Sequence, residues 1–197
     1  MMGSSAGAYS AMGAVDRVTS TFTAATDFAV VAEGGVGVGR AAFEASATDT
    51  IKAYDGTNTG KPLVRFGHVT FSADATQRSF APPQYQTPAA FSAEARRIMQ
   101  ARALASAANF RYFVPAGTCH TFLQSPGLYQ QFSIDGNMPR PVQPRVSPNP
   151  DLLVDDVPYV SWLKGVVTSS DPFERLPNPA SWDATEKPCP LPGGRAL

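Results

Sequence analysis

Apolar residues fall into three short continuous runs, separated by longer stretches in which they recur every three or four positions. Phe28–Ala32, Val64–Phe71 and Phe110–Val114 are the continuous runs, rich in β-branched and aromatic side chains. Such runs predict strands buried on both faces, as in a parallel sheet, with the 28–32 strand central. Residues 5–14 predict a short helix, and residues 41–53 a weaker one. The longest helix is predicted from Thr87-Pro88 through Phe91, Ala95, Ile98, Met99 and Leu104 to Ala108, because proline suits a first helical turn. A last helix is predicted from about Pro158 through Trp162, Leu163 and Val166, with Asp155-Asp156 as its cap region. Turn-formers fill Glu33–Gly37, Asp55–Gly60 and Pro115–His120. Strands alternating with helices define an α/β chain with a parallel sheet.

Composition narrows the picture. The 197 residues suffice for one domain with a real core, and 43% hydrophobic content argues against disorder. Sixteen basic and sixteen acidic side chains balance to zero, so no polyanion partner such as nucleic acid is expected. No apolar run is long enough for a membrane span, and no signal-peptide pattern opens the chain. The two histidines, His68 and His120, and two cysteines, Cys119 and Cys189, form no cluster of metal-binding spacing; neither metal nor cofactor is expected. Whether the cysteines pair stays open. Twelve of the eighteen prolines crowd residues 139–192, which makes 139–197 a loop-rich region around one helix.

Gly3-Ser4-Ser5-Ala6-Gly7 carries the chemistry. It reads G-x-S-x-G, the strand-to-helix turn that exposes a nucleophilic serine in α/β-hydrolases. Ser5 is the candidate nucleophile, and the Ala6 N–H is the candidate oxyanion donor. Ser4, at the x position, is expected to point away. The triad order Ser, acid, His is met by Ser5, by Asp74 directly after the 64–71 strand, and by His120 after the 110–114 strand. Glu33 also ends a strand and is the rival for the acid; Asp74 is preferred because it lies nearer His120 in strand order. His68, inside a strand, is read as a packed core residue. Asp27 and Asp55 are read as turn or solvated residues. Cys119 lacks an elbow and is not favoured as a nucleophile.

Three segments together resemble the pectinacetylesterase/Notum family: the elbow, Asp74-Ala75-Thr76-Gln77, and Phe110–Leu123 with its P-A-G-T-C-H loop. Trp162-Leu163 is similar to the W-L of that family's closing helix, so the likeness covers most of residues 3–170. The resemblance implies a serine esterase of partial α/β-hydrolase fold, the elbow plus the last three strands. It implies a triad of Ser5, Asp74 and His120, and an acylated carbohydrate or other ester as substrate, most simply acetylated pectin. It also implies secretion. Glu33-Gly34-Gly35 stands where the family has Asp-x-Gly, which leaves the role of that acid open. The family's elbow follows a strand and is served by an upstream Gly-Gly-Trp-type oxyanion loop, but only Met1-Met2 precede Gly3. The expectation is therefore an N-terminally truncated hydrolase, poorly soluble and weakly active alone. The alternative is a non-catalytic remnant or binding module of the same fold.

Overall fold

A computed structural model describes residues 1–120, 152–168 and 173–185. Four parallel strands, β1 (Met2–Ser4), β2 (Phe28–Glu33), β3 (Val64–Val69) and β4 (Phe110–Phe113), lie in the order β1-β2-β3-β4. The connections carry α1 (Ala6–Gly13), α2 (Val15–Thr21), α3 (Ala41–Ala53), α4 (Ala75–Phe80) and α5 (Pro88–Ala105). A two-stranded hairpin, β5 (Leu153–Val154) and β6 (Val157–Pro158), leads into α6 (Tyr159–Val167). Among the described residues no helix is long and apolar enough to cross a membrane.

Side-chain alternation sorts the strands into two faces. Val30, Ala32, Val64, Phe66, Phe110 and Tyr112 face one core, shared with Ala8, Ala11, Ile51, Phe91 and Ile98 from α1, α3 and α5. Val31, Val69 and Phe113 face the other, filled by Tyr159, Trp162 and Val166 of α6. Helices thus cover both sides of a parallel sheet, which explains why its strands read as continuous apolar runs. Gly67 belongs to the α6 face. A Cβ there would lie 2.8 Å from Val166 Cγ1 and 3.2 Å from the Trp162 ring. Its absence lets α6 sit close against β3.

Several expectations change. Met2–Ser4 forms a strand, short as it is, because it pairs in register with Val31–Glu33 of β2. The runs Val64–Phe71 and Phe110–Val114 yield shorter strands, and α5 stops at Ala105. Asp155 and Asp156 do not cap α6, whose N-cap is Pro158. Both adopt positive φ, 50° and 61°, at the tip of the hairpin. Aspartate tolerates this left-handed conformation better than most residues, and a two-residue hairpin turn requires it. Of the proline-rich region 139–197, the described parts hold that hairpin, one α-helix and a 3₁₀ turn at Phe173–Arg175.

Candidate active site

Gly3, Ser4 and Ser5 carry the chain out of β1 and into α1. Gly3 has to be glycine, since an added Cβ would meet the Gly7 carbonyl oxygen at 2.0 Å. Ser5 stands at φ 54°, ψ −124°, one of three non-glycine residues of positive φ in the described chain. Such a backbone costs on the order of 1–3 kcal/mol and persists only when its surroundings hold it. Two backbone bonds do so: Ser5 N–H donates to Glu33 O (2.7 Å), and Ala8 N–H donates to Ser5 O (2.9 Å). The strain lifts the Ser5 side chain off the strand end, and the Ala6 N–H opens the first turn of α1, where helical amides lack intrahelical partners.

His120 arrives from the far side of the sheet. Beyond β4, the loop 115–118 runs along 72–75 and extends the strand pairing. Ser72 N–H donates to Pro115 O, Ala73 N–H to Gly117 O and Ala75 N–H to Thr118 O, each at 3.0 Å. This lacing sets His120 beside Asp74. The imidazole Nδ1 lies 2.9 Å from Asp74 Oδ2 and 3.1 Å from Oδ1. Its Nε2 lies 2.7 Å from Ser5 Oγ. A carboxylate only accepts, so Nδ1 carries the proton and Nε2 is left to accept from the serine hydroxyl. The Asp74 side chain is fully buried, whereas the imidazole is 18% exposed.

Asp74 is fixed by a residue that sequence reasoning quoted but gave no role. It is the N-cap of α4, accepting from Gln77 N–H at 2.8 Å. The Gln77 amide also donates to Asp74 Oδ2 (2.7 Å) and to Thr70 Oγ1 (3.0 Å), and its Oε1 accepts from Val36 N–H (2.9 Å). The carboxylate therefore takes two bonds from Gln77 and one or two from His120. The acid-x-x-Gln spacing of a capping box was the available signal.

The remaining candidates lie elsewhere. Glu33, 1% exposed, accepts from Ser4 Oγ at 2.5 Å. Both residues occupy one register position, on the α6 side of the sheet. Ser4 thus turns to the opposite face from the triad, and the rival acid serves to anchor the elbow. His68 is 1% exposed within β3, and neither ring nitrogen has a partner among the described residues. Burial holds its pKa well below the ordinary 6.5, so it stays neutral. Asp27 pairs with Arg65 at 2.6 Å. Asp55 closes a turn onto Thr57, whose N–H and Oγ1–H both donate to it and lower its pKa. Cys119 is held in a disulfide and offers no thiol nucleophile; Cys189 lies outside the described residues. Among the described residues no cluster could hold a metal ion.

Beside the serine opens a cavity of about 330 Å³. Val38, Phe80, Ala81 and Phe91 form apolar wall, while Ser5, His120, Tyr9, Gln77 and Arg40 add polar groups. The loop 34–40 makes one side of it. Gly37, at φ 87°, keeps that loop tight, since a Cβ would meet the Phe43 ring at 2.4 Å. No protein-family model matches the chain, and neither a curated protein nor a solved structure matches it.

Proposed function

We propose that this chain carries the active centre of a serine carboxylic-ester hydrolase of α/β-hydrolase type. The observation that carries the reading is the unbroken line Ser5 Oγ–His120 Nε2 and Nδ1–Asp74, begun on a strained turn at a strand end. His120 takes the proton as Ser5 Oγ bonds to the ester carbonyl carbon, and the Ala6 N–H faces the oxyanion. Asp74 keeps the imidazole in the productive tautomer and stabilises the imidazolium. As the carbon–oxygen bond of the ester breaks, His120 gives the proton to the leaving alcohol. Water, deprotonated by the same nitrogen, then releases the acid from Ser5 and restores the serine. No step calls on a cofactor. Deacetylation of a polysaccharide such as pectin is the substrate reading that the family resemblance supports.

The test is covalent labelling of the protein that carries these residues together with any segment encoded in frame upstream. A fluorophosphonate should attach at Ser5, and p-nitrophenyl acetate should be cleaved. Both should disappear in Ser5→Ala. A wild-type protein that takes no label and cleaves no ester would remove the hydrolase reading and leave a non-catalytic binding module in its place.

A further inference from the structure

Among the described residues, Arg40 is the single permanently charged side chain on the cavity wall, and no carboxylate accompanies it there. It is exposed, at the point where the loop 34–40 enters α3. Three other arginines among the described residues are engaged. Arg65 pairs with Asp27, Arg97 with Glu44 and Glu94, and Arg111 donates to four backbone carbonyls. The Arg40 side chain makes no ion pair and no hydrogen bond among the described residues. Its charge reaches into the site, for it pulls against the burial that raises the Tyr9 phenol.

An empty arginine fork beside a nucleophile is matched to a planar anion, which it can hold with two parallel bonds. The neighbouring wall of Val38, Phe80 and Phe91 suits an apolar stem. We propose that Arg40 is a specificity-determining residue, and that this site selects esters bearing a carboxylate beyond the scissile carbonyl. The inference rests on the hydrolase reading and adds to it the charge of the substrate. The carboxylate could belong to either half of the ester, and the substrates below separate the two.

The experiment compares matched pairs in the protein used for labelling. The acyl-side pair is p-nitrophenyl monoadipate against p-nitrophenyl hexanoate. The alcohol-side pair is 4-acetoxybenzoate against its methyl ester. In one pair, wild type should favour the anion in kcat/KM by about ten- to a hundredfold, the range expected of a hydrogen-bonded charge pair. Arg40→Gln should collapse that ratio, Arg40→Lys should retain part of it, and added salt should erode it in wild type only. If wild type prefers the neutral ester in both pairs, or Arg40→Gln keeps the preference, the role of Arg40 is overturned while Ser5 labelling still stands. If Ser5 takes no label and no ester is cleaved, the hydrolase reading has failed, and this proposal falls with it.

Discussion

The two histidines of this chain sit on neighbouring strands or their extensions and share almost nothing else. His68 lies inside β3, wholly buried, with both ring nitrogens unpartnered among the described residues. His120 lies on the loop beyond β4, partly exposed, with both nitrogens engaged. A buried ring without partners is a packing element that tolerates its desolvation. A ring whose two nitrogens are assigned to a buried acid and a hydroxyl is poised to move a proton. Partner geometry, more than burial, separates the two.

The sharpest break in that comparison is substitution of each ring. On the proposed hydrolase reading, His120→Ala should cut ester hydrolysis by at least ~10³-fold, because the general base and the serine it activates would be lost together. His68→Leu should leave Ser5 labelling intact. Equal losses from both would show the distinction to be wrong. Asp74→Asn comes next, with an expected fall of about 10³- to 10⁴-fold at unchanged fold, since an amide donating to Nδ1 selects the wrong tautomer. A circular dichroism spectrum matching wild type would separate this from unfolding.

Gln77→Leu should act more mildly. It keeps the backbone N–H that Asp74 caps but removes the amide bonds to Oδ2, to Thr70 and from Val36 N–H. A loss of about ten- to a hundredfold in kcat with little change in KM is the expected mark of a positioning residue. A change confined to KM would argue for direct substrate contact instead, which its place on the cavity wall allows.

The smallest effect belongs to His68 and appears in stability. Its folded pKa lies well below 6.5, so between that value and 6.5 the unfolded chain binds the extra proton. Stability should therefore fall as pH drops below about 6.5, by at most about 1.4 kcal/mol per pH unit from this residue. Urea midpoints at pH 7 and pH 5 should converge in His68→Leu relative to wild type. An undiminished difference would assign the acid sensitivity to other groups.

Much of this architecture was visible in the pattern of residues. Phe28–Ala32, Val64–Phe71 and Phe110–Val114 announced their strands because burial on both faces leaves no room for polar alternation. What escaped notice was short or dependent on partners. Met2–Ser4 is a strand through its pairing with β2, not through its own three side chains. Val15–Thr21 and Ala75–Phe80 span two turns or fewer, too little for a periodic signal. At the site, the order of Ser5, Asp74 and His120 could be read from the strand ends on which they sit. The task of Glu33 could not, since it depends on a neighbour brought to it only by the folded sheet, whereas the grip of Gln77 on Asp74 was legible in their three-residue spacing and only its bonds to Thr70 and Val36 were not. Glu33 looked like a rival acid until its carboxylate was found on Ser4.

The lacing of β4 reaches further along the chain. Val114 N–H donates to Pro179 O and Ser181 N–H returns to Val114 O, while Ser72 Oγ–H donates to Asp183 O and Ser92 Oγ–H to Trp182 O. Residues 179–183 therefore act as a belt buckled over the strand that delivers His120. For anyone shortening this protein, a cut before Pro179 unfastens the belt and leaves the histidine arm loose at its root, and a cut before Cys189 also removes the chain's only cysteine besides the disulfide-held Cys119.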